Sequence, residues 1–594
     1  MCEGFQTSSG ESVDPLAVRS QLASLLASDL FAGSPRMGRF LRFTVEETLA
    51  GNAAQLKEIV IGAKVFDRDG SYDPRLDPIV RVEARRLRLK LRAYYEGPGK
   101  RDQLILEFPK GRYSPVFTLR TDSPSAADTP AAAPSEITVA VLPFANLDPG
   151  RGSDYFSDGL SEELIHALTL IRGLRVVAWE SAAQLRSQQH DIGAVRQRLG
   201  ALYALRGSIR RTGSRLRITA HLVQTADNHY VWSETFDRQV QDIFAIQEEI
   251  ATSIAAALNL RFRDEIELAP VPGAARNLEA YNLCLQGRFH ARERTLEGLK
   301  RSLVLFSEAA AMDNTSVLAY SGLADTNALI AEYGFADGCD NLLKGKAAAE
   351  RALELDPLSA EAHASLGLIL VLYDWDWRRA EAEFARSFEL NPSYAPGHFW
   401  FASDFLAMQG RLAEAHAEIE IALKSDPLSS VILLGRALFY TFARDYGRSI
   451  YESERVLERD PSFYRAYTSI GRTHILSGNY GAAIEMLGKG LSLAGAVPNI
   501  LGALGQAHAL AGNPEEAGRF YSQLQTMAEY RSIPGTCFAF IHLGMGQKEM
   551  ALTWLERAVA RHQPSMVALK MHPVYDGLRA EPRFQALLRT VGFH

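Results

Sequence analysis

Three segments near the C-terminal end repeat at one offset of 34 residues, which puts Gly478, Gly512 and Gly546 in successive turns and Ala483, Ala517 and Ala551 just beyond them. A fixed period of this kind constrains the fold strongly, because each unit must be a supersecondary element that buries its apolar face only against the next one. His474, His508 and His542 keep the same register, so three histidines that could pass for a metal cluster occupy one recurring helix position. Upstream, Asp356-Pro357, Asn391-Pro392, Asp426-Pro427 and Asp460-Pro461 mark unit ends at spacings of 35, 35 and 34 residues. Proline cannot continue a helix, and the residue before it is pushed out of the α region. The repeated alanines, with Ala415, belong to the second helix of each unit, where a small side chain lets two backbones approach.

These positions resemble the tetratricopeptide repeat (TPR) family from about Leu278 to Phe593. The resemblance implies that residues 276–594 form a right-handed α-solenoid of about eight or nine helix pairs, with a binding groove in place of an enzyme pocket. Two departures stand out: Ser449 replaces the expected alanine, and the segment Tyr373 to Trp377 carries an extra residue. The ninth position of the unit runs Asp404, Leu438, Arg472, Gln506 and Phe540. That row either faces a bound protein segment or fills the solenoid interior. It lacks the repeated Lys and Asn that clamp a C-terminal carboxylate, so the expected partner is a protein or peptide of mixed chemistry.

Charge separates one part of the chain from the rest. Residues 16–120 hold 19 Lys/Arg against 12 Asp/Glu, a net of +7, whereas the whole chain carries −6 and the remainder therefore −13. Such asymmetry points to a polyanionic partner for the basic part. Residues 121–136, rich in Pro, Ala and Ser, read as a flexible linker, and a second short linker falls near 269–275. The chain thus divides into a basic domain at 16–120, a middle domain at 137–263 and the array at 276–594. Neither a signal-peptide pattern at Met1–Pro15 nor an apolar run approaching the ~20 residues of a membrane helix is found, so a cytoplasmic protein without membrane contact is expected. Cys2, Cys284, Cys339 and Cys537 are too dispersed for a disulfide framework or a CxxC metal site.

In the basic domain, Asp77-Pro78 can open a helix in which Val80, Ala84, Leu87, Leu91 and Tyr94 form a core stripe. One residue along, Arg81, Arg85, Arg88 and Arg92 form a parallel stripe about 100° round the helix. A short helical segment at 56–66 and a loop at 67–76 precede it, and strands at 103–108 and 113–119 follow, joined through Lys110-Gly111. The Asp67-Arg68-Asp69-Gly70 run is a turn and not a calcium loop, since its glycine comes too early and no glutamate closes it. The order helix, loop, basic helix, hairpin is that of a winged helix. Arg86-Leu87-Arg88-Leu89-Lys90-Leu91 and Gly111-Arg112-Tyr113 resemble the end of OmpR-type DNA-binding domains, although residues 1–15 are too short and polar for the sheet that opens those domains. The resemblance implies duplex-DNA contact through Arg81, Arg85, Arg88, Arg92, Lys110 and Arg112; a protein-contact or solvated face is the alternative.

The middle domain alternates strands at 137–144, 176–178, 201–210, 215–225 and 230–237 with helices at 157–171 and 243–260, an α/β pattern. Its phrases VAVLPFANL, YFSDGLSEELIHAL, YALRGSIRR, RITAHLVQTADNHYVWSETFD and FAIQEEIA resemble TolB amino-terminal or FlgO-like domains. Asp154, Asp158, Glu162 and Glu163 read as the acidic start of a helix and not as metal ligands. No Walker loop, HExxH, GxSxG or GxGxxG stands between a strand and a helix, so no catalytic residue, metal or cofactor is assigned and a non-enzymatic protein is expected. The expected fold is multidomain: mainly α, with a winged-helix-like α+β domain, a TolB-like α/β domain and a C-terminal TPR solenoid. HilA-like regulators join comparable parts, which suggests a DNA-binding transcriptional regulator. A scaffold without DNA contact, linked to an adenylate cyclase-type pathway, is the alternative.

Overall fold

Two compact units make up the chain, Met1–Ala132 and Ala133–His594. The computed structural model describes residues 5–6, 12–13, 15–28, 31, 35–66, 72, 79–96, 99, 102, 104–109, 112–119, 137–147, 154–169, 171–188, 191–239, 243–258, 261–262, 277–334 and 338–593. Both linkers, the turn at 67–70 and Lys110 lie outside them.

In the first unit, helices α1 (Pro15–Ala27), α2 (Pro35–Leu49), α3 (Glu58–Val65) and α4 (Ile79–Glu96) lead into an antiparallel hairpin of β1 (Leu104–Glu107) and β2 (Val116–Leu119). The α4 stripe Val80, Ala84, Leu87, Leu91 and Tyr94 is buried as its spacing predicts, against Phe40, Leu41, Ile61 and Leu106. The start of the chain departs from expectation: Phe5–Gln6 pairs antiparallel with Ser12–Val13, a minimal ladder where the polar opening promised no sheet.

The second unit begins with a mixed sheet of β3 (Ile137–Val141), β4 (Leu174–Val177), β5 (Tyr203–Thr212), β6 (Arg215–Gln224) and β7 (His229–Gln239), in the order β7-β6-β5-β3-β4. Strand β3 runs parallel to both neighbours, whereas β5, β6 and β7 form an antiparallel meander. Helices α5 (Asp154–Thr169) and α6 (Ile243–Ala257) contribute Leu164, Leu168, Ile246 and Ile250 to its core. Tyr281 and Leu285, from the first helix of the array, are buried in the same core. The middle domain and the array therefore share one core despite the punctuation between them.

Eight helix pairs follow: α7 (Leu278–Ala291) with α8 (Leu296–Met312), α9 (Val317–Glu332) with α10 (Gly338–Leu355), α11 (Ala360–Ile369) with α12 (Trp377–Leu390), α13 (Ala395–Trp400) with α14 (Leu412–Ser425), α15 (Ser430–Phe442) with α16 (Tyr446–Arg459), α17 (Tyr464–Leu476) with α18 (Tyr480–Ala494), α19 (Pro498–Leu510) with α20 (Pro514–Ala528), and α21 (Gly535–Gly544) with α22 (Lys548–Ala560). Ala415, Ala483, Ala517 and Ala551 are fully buried, as the close-approach argument requires. Ser449 is buried too, and its hydroxyl is satisfied by Thr441 at 2.7 Å and Thr473 at 3.4 Å.

The two 35-residue spacings have a structural cause. Leu370–Asp374 and Phe401–Leu406 are π-helical, one in each of the two longer units, and the 34-residue unit that follows is regular. A π turn closes its hydrogen bond one residue later than an α turn, so it absorbs an inserted residue without losing register. Trp375 ends the first π segment at φ 55°, a left-handed conformation uncommon for a bulky residue.

After α22 the chain turns back across the array through two 3₁₀ turns, Pro564–Ala568 and Pro573–Leu578, and helix α23 (Pro582–Thr590). Trp377 Nε1 donates to the Val591 carbonyl at 2.9 Å, and the Trp375 ring stacks on His562 with centroids 4.5 Å apart. Arg444 pairs with Asp576 at 2.8 Å. The C-terminal segment thereby ties the third and fifth helix pairs to the eighth.

Candidate functional site

The first helices of successive pairs line the interior of the array, and between them and the C-terminal segment lies a cavity of about 330 Å³. Val431, Leu434 and Leu438 of α15 give it an apolar wall. Arg465, Thr468, Ser469 and Arg472 of α17, three, four and seven residues apart, give it a polar one, since these spacings return to one helix face. Glu332, Asp404, Asn499, Ala568 and His572 close the ends.

The ninth-position row resolves into two parts. Asp404, Leu438 and Arg472 line the cavity. Gln506 and Phe540 are buried, with Phe540 packed 6.2 Å from the His572 ring and 6.0 Å from Tyr575. The far end of the row is thus buried, and the chain's own C-terminal segment covers Phe540. The reason is tertiary: register aligns the five positions, but the returning segment decides what they meet.

Charges within the cavity are unevenly answered. Arg465 has Glu332 at 3.6 Å and lies over the Tyr333 ring at 4.2 Å. Burial, helped by Glu332, pushes the Asp404 carboxyl up to about 7, and Ser403 donates to it at 2.5 Å. Arg472 donates to the Asn499 carbonyl at 3.1 Å and lies over Phe540 at 5.5 Å, and burial lowers its pKa from the ordinary value.

A second polar cluster joins the middle domain to the array. Glu163 of α5 pairs with Arg288 of α7 at 2.6 Å, and Glu162 pairs with Arg292. Burial alone would lower the His166 pKa, but Glu361 at 3.2 Å outweighs it and holds His166 up to about 9. Burial would raise Glu361; the charge on His166 brings it down to about 2. Asp158 pairs with Arg186. Of the four helix-start acids, Asp158, Glu162 and Glu163 are thus engaged by arginines. No group of His, Cys, Asp or Glu able to hold a metal ion occurs among the described residues. Nor is any described helix long and apolar enough to cross a membrane.

On the basic helix α4 the predicted stripe is not uniform. Arg81 is exposed and pairs with Glu58 at 3.1 Å. Arg88 turns inward and donates to the carbonyls of Phe108 at 2.8 Å, Pro109 at 3.0 Å and Arg112 at 3.2 Å, so it clamps the hairpin to the helix. This corrects the picture of four equivalent guanidinium groups on one open edge. The Arg112 side chain is exposed at the hairpin. The side chains of Arg85 and Arg92 lie outside the described residues, as does Lys110.

Comparison with known proteins identifies two kinds of module. Residues 135–253 match the family described as HilA/YgeH-like transcriptional regulator, second domain. Residues 464–496 and 498–523 match tetratricopeptide repeats. The chain is 24% identical over 302 residues to the transcriptional regulator HilA of Salmonella typhimurium, covering 50% of this chain and 52% of HilA. It is 30% identical over 259 residues to "Putative adenylate cyclase 3" of Rhizobium meliloti, covering 43% of this chain and 36% of that protein. The chain thus spans about a third to a half of these relatives' lengths. Among solved structures, the type IV pilus biogenesis factor PilW aligns over 35% of this chain and 95% of its own at 21% identity, with a TM-score of 0.29. A human IFIT1 dimer with m7Gppp-AAAA aligns over 54% and 80% at 16% identity, with a TM-score of 0.38.

Proposed function

We propose that the chain is a non-enzymatic bacterial transcriptional regulator of the cytoplasm, in which the N-terminal unit contacts duplex DNA and the HilA-like domain and repeat array receive a protein or ligand signal. The observation that carries this reading is the HilA-like match over 135–253 on a chain whose preceding unit ends in a basic helix and hairpin. That order of elements supports an OmpR-type winged helix for residues 16–120, and the five phrases within 137–263 support a TolB amino-terminal or FlgO-like domain.

In this reading Arg81 and Arg112 reach backbone phosphates, with Arg85, Arg92 and Lys110 beside them, while Arg88 fixes the hairpin that presents Arg112. The test is binding of the full chain to duplex DNA across a salt series. Each phosphate contact removed, as in Arg112→Ala, lowers the salt slope by about 0.9. Absence of DNA affinity at low salt rules the reading out. A second reading, a scaffold tied to cyclic-nucleotide signalling, is favoured by the similarity to the Rhizobium protein and gains if DNA binding fails while the array still captures a protein partner.

A further inference from the structure

Inside the array, Arg472 carries a charge at the cavity that meets no anion among the described residues. Arg472 Nε is buried without a hydrogen-bond partner, and no carboxylate among the described residues forms an ion pair with the guanidinium. Its polar neighbours are neutral near pH 7. Burial pushes the Cys537 thiol up to about 12 and the Tyr575 hydroxyl higher still, while burial and Arg472 itself hold the His572 imidazole down at about 3. Two turns along the same face, about 10 Å by helical rise, Arg465 has its counter-ion in Glu332. A guanidinium withdrawn from water is strongly unfavourable unless an anion meets it. Here the place where such an anion would stand opens into a cavity whose facing wall is Val431, Leu434 and Leu438.

We propose that this cavity is a binding site for a small amphipathic monocarboxylate, with its carboxylate on Arg472 and its apolar body against Leu434 and Leu438. The volume lies at the low end of small-molecule pockets, roughly 300–1,000 Å³. A single negative charge fits, because at the Arg465 end Glu332 already serves as the counter-ion. The site does not depend on the DNA contact proposed above, and its readout is direct binding, so failure of one leaves the other standing.

Calorimetry and thermal melting of the full chain test the site with four probes: phenylacetate and hexanoate as monocarboxylates, phenylethanol as the neutral match and phenylethylammonium as the cation. The carboxylates are expected to bind and raise the melting temperature, with phenylethanol at least about tenfold weaker and the cation inactive. Arg472→Gln is expected to weaken phenylacetate at least about tenfold while leaving phenylethanol unchanged, and Leu434→Trp, which fills the cavity, abolishes both. Without ligand, Arg472→Met is expected to melt no lower than the wild-type chain, since it removes an unanswered charge; a purely structural Arg472 would make it melt lower. Failure of both carboxylates to bind, equal binding by wild type and Arg472→Gln, or a lower melting point for Arg472→Met overturns the proposal.

Discussion

Arginine plays opposite parts in the two units. On α4 Arg81 meets Glu58 in the open, and Arg88 turns in to gather three hairpin carbonyls. In the array Arg472 lies inside, with one carbonyl, an aromatic face and a cavity beside it. The difference teaches that a basic residue's role follows from what its environment does to the charge: water makes the charge of Arg81 cheap, whereas burial makes that of Arg472 demand a partner.

The largest expected effect tests the array that creates the interior. Ala517 is fully buried where helices meet, so Ala517→Leu is expected to destabilise the second unit by about 1–3 kcal/mol, read as a lower melting temperature. An unchanged melting point would contradict the close packing on which the cavity depends.

Next comes the contrast within α4. Arg88→Ala leaves three hairpin carbonyls without their donor and is expected to cost about 1–2 kcal/mol in the first unit, after allowing for partial exposure. Chemical denaturation of the full chain, followed by a probe in that unit, measures it. Should Arg88→Ala lose DNA affinity without loss of stability, its inward role would be wrong.

The junction between middle domain and array adds a pH dependence. Because Glu361 holds the folded His166 pKa above its ordinary 6.5, the stabilisation is fully present below pH 6.5 and is lost as pH rises through about 9. Glu361, held down to about 2 by His166, contributes above its ordinary 4.5 and loses that contribution as pH falls through about 2. His166→Gln should therefore flatten the stability profile between pH 6.5 and about 9. A profile identical to wild type in that window would remove the pair from the junction's energetics.

The smallest effect sharpens the comparison from the surface side. Arg81→Ala breaks an exposed ion pair and is expected to change stability by less than about 0.5 kcal/mol while lowering the salt slope of DNA binding. A large stability loss would make Arg81 a structural residue like Arg88.

Much of the fold is legible in the sequence. The α4 stripe from Val80 to Tyr94 is buried position for position, the recurring alanines sit at the close contacts, and the proline spacings locate unit ends to the residue. Even the extra residue near Trp375 was visible, though only the structure shows it taken up as a π turn, with a second at Phe401–Leu406. The cavity was less legible. Its residues Asp404, Leu438 and Arg472 fall on one repeat position, but nothing in the period says whether that position is open, filled or enclosed.

Local periodicity and punctuation are properties of neighbours in the chain, so the sequence by itself determined the helix pairs of the array and their register, the main strands of the sheet domain and the basic helix with its hairpin, but not helices α1 and α2. Contacts between distant residues are not encoded in any period. The return of residues 564–593 across the array, the seating of Tyr281 and Leu285 in the sheet domain's core and the inward turn of Arg88 were decided only by tertiary structure, where burial and the answering of charge depend on which distant segment packs against a face.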